Sequence, residues 1–174
     1  SFATRDKIAS LLWSESSNDA ARTALRQCLH KLRSNLSDAQ PEFLHIGPEY
    51  ISIERAFVET DVDPITNEES EVFSSEIFNG VDLDRLLDGF DHLDKAYSEW
   101  LRDWRTHIDV RLRSSLNEHI KSADVEHESR VRAAESLARI DPSDEVAARY
   151  LIQEQARSNN IAGLMRIYKQ LWDK

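Results

Sequence analysis

A single cysteine, Cys28, stands among 174 residues, so no disulfide can form within the chain. A reducing, cytoplasmic setting is expected. Glycine and proline are scarce, four of each, which leaves few helix breakers and suits a mainly helical protein. The sequence also has no glycine-rich phosphate cradle and no nucleophile elbow. No apolar run approaches the roughly 18 to 20 residues that cross a bilayer as a helix, and no membrane association is expected. Ser1 to Arg5 leads directly into an amphipathic helix, so no secretory leader is expected. Six histidines, at 30, 45, 92, 107, 119 and 127, show no HxxxH or HExxH spacing and no cysteine partner. No metal site is expected from them. Glu99, Asp103 and Glu154 read as solvated helix faces, not as general acid–base pairs. The expectation is a chain without catalytic residues and without a cofactor.

Acid is in excess. Thirty-two Asp and Glu against twenty-two Lys and Arg give a net charge of −10, which argues against a protein that coats nucleic acid over its whole surface. The charge is unevenly placed. Residues 1–40 hold six Lys/Arg and four Asp/Glu, and the remainder hold sixteen and twenty-eight. A locally basic N-terminal part and a strongly acidic remainder are expected to do different jobs. The length allows one good core or two small ones.

Thr4 is suited to cap a short helix with Arg5 to Trp13 as its body and Ile8, Leu11 and Leu12 as its apolar side. "SESSND" follows as a polar connection ending in two good cap residues, Asn18 and Asp19. In "ARTALRQCLHKLRSNL" (21–36), Leu25, Leu29, Leu32 and Leu36 recur at helical spacing and form one packing stripe. Arg22, Arg26, His30 and Arg33 fall together on an adjoining face, while Lys31 points elsewhere. Cys28 lies about 60° from the stripe's center and is expected to be partly buried. "FLHIGPEYISIE" (43–54) alternates as a β-hairpin around Gly47-Pro48-Glu49.

Residues 59–80 are acidic and aperiodic, and read as a connector with a short helix near Val72 to Phe78. A long helix is expected from about Asp91–Asp94. Its stripe is Leu93, Tyr97, Trp100, Leu101, Trp104, Ile108, Leu112, Leu116 and Ile120. Tyr97, Trp100 and Trp104 share that stripe, so they read as core and not as a ligand pocket, and Trp13 reads as core too. Further helices are expected around Val131–Ile140, stopped by Asp141-Pro142, then over Glu145–Arg157 and Ile161–Trp172. Ala134, Ala138, Ala148 and Gly163 allow close helix approach. The pairs suggest a helical-repeat arrangement, although self-similarity is weak.

"TRDKIASLLW", "ARTALRQCLHKLRSNL" and the hairpin together resemble the second half of an OmpR/PhoB-type winged helix, in the version carried by SARP-type bacterial regulators. "LLDGFDHLDKAYSEWLRDWRTHI" (86–108), "AAESLARIDPSDEVAARYLI" (133–152) and "NNIAGLMRIYKQLW" (159–172) resemble the bacterial transcriptional activator domain that follows it. The resemblance implies a mainly α fold: a partial winged helix with a β-hairpin wing over 1–58, the acidic connector over 59–80, and a tetratricopeptide-like helical domain over 81–174. Three features depart from the family. The first strands and helix of the winged helix are absent, which suggests a piece of a longer protein. The wing lacks the usual glycine-tyrosine pair followed by a basic residue, and reads Gly47-Pro48-Glu49-Tyr50-Ile51-Ser52 with an acid at its tip. Relatives often continue for another helix past Lys174.

A helix that reads DNA packs one side on its domain and lays the other in the major groove. The leucine stripe suits the first role. For the second, the resemblance implies DNA contacts from Arg22, Thr23, Arg26, His30 and Arg33, with Tyr50 on the wing. Arg22, Thr23 and Arg26 lie toward the end that enters deepest, and Arg33 is expected on a phosphate or on an acid within the domain. Periodicity alone favours a solvated face whose arginines pair with nearby acids; the resemblance reverses that for Arg22 and Arg26. The expected function is a transcriptional regulator that contacts promoter DNA. Its helical domain would serve activation, self-association as a homodimer, or signal coupling, with RNA polymerase or a regulatory protein as partner. The alternative is an interaction or sensor module of a larger signalling protein, with no direct DNA contact.

Overall fold

The structure is a computed structural model and describes residues 2–36, 43–58, 60, 62–66 and 86–172. It is mainly α with a small three-stranded antiparallel sheet that includes the expected hairpin. By internal contacts the chain divides into two units, Ser1–Asp61 with Asp84–Arg105 and Val62–Leu83 with Thr106–Lys174. Among the described residues no helix is long and apolar enough to cross a membrane.

In the first unit, Thr4 caps helix α1 (Arg5–Leu12), its Oγ1 accepting from the Lys7 N–H at 3.3 Å. Trp13 closes the helix by donating its N–H to the Ala9 carbonyl at 3.0 Å. The polar connection ends two residues earlier than expected, at Ser17. Ser17 takes the Ala20 N–H on its hydroxyl, and Asn18 and Asp19 already lie in the first turn of α2 (Asn18–Leu36). Asp19 suits that turn, because a carboxylate complements the positive end of the helix dipole.

Ala9 of α1 and Ala21, Leu25 and Leu29 of α2 make the small core, with Ile8, Trp13, Ile46 and Ile51 packed against it. The leucine stripe is therefore buried only over its first half, since Leu32 is 40 % exposed. Length explains this. The nineteen residues of α2 run for about 28 Å, and the eight of α1 for about 12 Å, so α1 cannot cover the end of its neighbour. Cys28, expected to be partly buried, is exposed although Leu25 and Leu29 on either side of it are buried, because it points away from the stripe they form.

Strands β2 (Leu44–Ile46) and β3 (Tyr50–Ile53) form the hairpin, with Leu44 opposite Ile53 and Ile46 opposite Ile51. That register puts Ile46 and Ile51 together on the core side. Gly47 donates to the Tyr50 carbonyl at 2.9 Å across the turn, where an added β-carbon would crowd that same oxygen. Strand β1 (Phe2–Thr4) was not legible in the sequence. It pairs antiparallel with β3 and makes the sheet order β1-β3-β2.

The expected connector contains a one-turn helix, α3 (Asp63–Thr66), with Ile65 buried. The helix expected at Val72 to Phe78 lies outside the described residues. The long helix α4 (Lys95–Lys121) begins after Asp94, whose Oδ1 accepts from the Ala96 N–H at 2.9 Å. Tyr97 and Leu101 are buried as expected in the first unit, and Ile108, Leu112, Leu116 and Ile120 in the second. Three members of the stripe are not buried in the core, Trp104 being half-buried. Leu93 precedes the helix and is exposed, and Trp100 is 39 % exposed. Trp100 sits about 100° round the helix from Leu101, at the stripe's edge, where it stacks on Trp104 with ring centroids 5.8 Å apart.

In the second unit, helices α5 (His127–Ile140), α6 (Glu145–Arg157) and α7 (Ile161–Trp172) pack each on the next. The fully buried Ala133, Ala134 and Ala147 allow that close approach. At the buried Gly163 a β-carbon would collide with the Gln155 side chain. Asp141 stops α5 as expected and organises the turn, accepting from the Ser143 N–H and hydroxyl. Arg113 of α4 donates to Asp141 and to Asp109, each at 2.8 Å. Asp144 then caps α6, taking the Val146 and Ala147 N–H groups at 2.9 Å.

Candidate nucleic-acid interface

The six residues expected to meet DNA do not share one environment. Helix α2 fixes five of them, with Ala21, Leu25 and Leu29 anchoring it from beneath. Arg22, Thr23, Arg26, His30 and Arg33 are all exposed, but two of the arginines already have work inside the protein.

Arg22 lies against Asp6 of α1 as a fork. Its Nε donates to Oδ1 at 2.9 Å and its Nη2 to Oδ2 at 3.0 Å. These hydrogen bonds hold the Asp6 carboxyl below its usual range and favour the charged guanidinium. Both side chains stay open to water, 56 % and 69 % exposed, so the pair orients more than it stabilises. Arg33 reaches the hairpin and donates from Nη2 to the Ile46 carbonyl at 3.0 Å. Its partner is thus a backbone oxygen, where the sequence suggested a phosphate or an acid.

Arg26 is different. It lines a cleft of about 580 Å³ between the start of α1, the middle of α2 and the hairpin turn, and has no bonded partner among the described residues. Leu25 lies in the same cleft, and Arg5, Pro48 and Glu49 complete its rim. Arg5 braces that rim twice: its N–H donates to the Glu49 carbonyl at 2.9 Å, and its Nη1 to the Gly47 carbonyl at 3.0 Å. Glu49 adds an acid to the lining of the same cleft. Tyr50 is exposed on the hairpin and packs its ring near His45, with centroids 5.7 Å apart.

Sequence reasoning missed Asp6 and Arg5. A signal for Asp6 existed, since pairing of Arg22 with some nearby acid was open. Which acid depends on how α1 crosses α2, and no local pattern reports that. Among the described residues no group of three or more His, Cys, Asp or Glu could hold a metal ion.

The arrangement presents one guanidinium without a bonded partner among the described residues, two held in place, a threonine and a histidine along a supported helix beside a hairpin. It has the donors to bind phosphate or base edges. No protein-family model, no curated protein and no solved structure matches this chain.

Proposed function

We propose that this chain is a DNA-binding transcriptional regulator of the SARP-like kind. Helix α2 enters the major groove of promoter DNA and the hairpin lies against the backbone beside it. The observation that carries this reading is Arg26: an exposed arginine without a bonded partner among the described residues, next to Thr23 and Arg22, on a helix whose opposite side is buried. The helical second unit serves activation, self-association or signal coupling, with RNA polymerase or a regulatory protein as partner. The protein works in the cytoplasm as a binding protein, not as an enzyme. Its acidic surface keeps DNA to one end.

Few cations face the DNA, so binding is weak for a single copy and strongly salt-dependent. Four phosphate contacts correspond to a loss of roughly a hundredfold between about 50 and about 200 mM salt. Fluorescence anisotropy on duplex DNA from the protein's own promoter region, at two salt concentrations, tests this. Arg26→Ala is expected to weaken binding and to flatten the salt slope by about one.

One observation favours a second reading. Arg22 and Arg33 are engaged within the protein, and Glu49 stands at the hairpin tip. A protein-interaction module without DNA contact fits those facts. Absence of binding at low salt selects that reading, whereas binding indifferent to Arg26→Ala moves the DNA contact away from Arg26.

A further inference from the structure

The fork between Arg22 and Asp6 uses only one side of the guanidinium. Nε gives its single hydrogen to Oδ1, and Nη2 gives one of its two to Oδ2. Both hydrogens of Nη1 and the second of Nη2 have no bonded partner among the described residues. In a planar guanidinium, Nη1 and Nη2 then present a second, parallel donor pair along the outer edge. Fixing one edge fixes the direction of the other. Arg22 is 56 % exposed, so that edge is reachable.

A parallel donor pair matches two adjacent acceptors. In the major groove guanine offers such a pair, N7 and O6, whereas adenine offers one acceptor beside a donor. We propose that Asp6 is a positioning residue that holds Arg22 so that its outer edge reads a guanine in the major groove. This rests on the DNA-binding reading and names the base that reading selects.

Asp6 acts in two opposed ways. Its orientation of Arg22 favours one base at one register. Its charge repels phosphate at every register. Removing the carboxylate therefore loosens discrimination and tightens binding to any duplex. A carboxylate that merely joined α1 to α2 would carry the same charge, but its loss would leave the choice of base unchanged. Arg26, one turn further along α2, is left free to contact a phosphate.

The test is selection from a duplex library with a randomised core, run with the wild type, Asp6→Asn and Arg22→Lys. Binding to poly(dA-dT), which has no guanine, is measured alongside. The wild-type pool is expected to fix a guanine that the other two pools do not. Replacing that guanine by 7-deazaguanine, which lacks N7, is expected to weaken the wild type about tenfold and to leave Asp6→Asn unchanged. Asp6→Asn is expected to bind poly(dA-dT) more tightly than the wild type. Arg22→Lys keeps the charge but cannot form the fork, so it carries the same test where Asp6→Asn fails to fold. Retention of the guanine and of the 7-deazaguanine effect in both variants overturns the positioning role and leaves DNA binding intact. Salt-dependent DNA binding by the wild type with no fixed guanine does the same. A wild type that selects nothing and does not bind poly(dA-dT) at low salt overturns both.

Discussion

The Asp94 carboxylate holds Ser14 from eighty residues further along the chain, accepting its backbone N–H at 2.9 Å and its hydroxyl at 2.5 Å. The same Oδ1 takes the Ala96 N–H and starts α4. One side chain thus caps a helix and secures the turn after α1, both within the first unit. Asp94→Ala is expected to lower the melting temperature and to remove hydrogen-exchange protection from the Ser14 and Ala96 amides. Ser14→Ala leaves the backbone bond and the cap in place and is expected to do less. Equal protection at both amides in wild type and Asp94→Ala would refute the double role.

Acid is expected to weaken the fold through a definite set of groups. The carboxyls of Asp6, Asp91, Asp94 and Asp141 all sit below their usual range. The chief causes are hydrogen bonds from Arg22, Arg105, Ser14 and Ser143 respectively. A carboxyl with a lowered folded pKa binds its proton more readily in the unfolded chain. Its contribution is therefore complete above about pH 4 and is lost as pH falls through the folded values. In denaturant unfolding, the loss carried by these carboxyls is expected only below about pH 4. Asp141→Asn is expected to start lower and fall less.

His119 should titrate below its ordinary value of 6.5, because burial disfavours the charged ring. Its Nε2 lies 2.9 Å from the Ser129 hydroxyl. With a lowered folded pKa, the unfolded chain holds the extra proton first. Stability is complete above about pH 6.5 and declines as pH drops toward the folded value. An NMR titration of the imidazole is the direct measurement. A midpoint at or above the ordinary value would remove this contribution.

Two leucines at helical spacing should behave very differently. Leu137 is fully buried, and Leu137→Ala is expected to cost about 2–5 kcal/mol in urea unfolding. Leu32 belongs to a stripe that looks like core, yet it is 40 % exposed. Leu32→Ala is expected to change stability by no more than about 0.5 kcal/mol. A large loss at Leu32 would mean that something covers the end of α2.

Most helices were legible because their causes are local. Thr4 caps α1, Asp141-Pro142 ends α5, and Leu101, Ile108, Leu112 and Leu116 recur at the spacing of one helix face. Each signal lies within a few residues of its effect. The hairpin was legible in the same way, through alternation on either side of Gly47-Pro48-Glu49. The arginine face of α2 was legible as a face, and its residues do lie exposed.

The sequence by itself determined where the chain coils, where it turns and which side of each helix is greasy, since those follow from backbone geometry and near neighbours. Tertiary structure alone decided what each side meets. It made Phe2–Thr4 a strand by laying it along β3, and it left Leu32 beyond the reach of α1 and Trp100 at the edge of its stripe, both partly in water. It also gave Arg22 to Asp6 and Arg33 to Ile46, while leaving Arg26 without a bonded partner among the described residues. The physical reason is distance along the chain. A helix repeats every 3.6 residues whatever surrounds it, but which groups meet across sixteen or eighty positions depends on how whole elements pack.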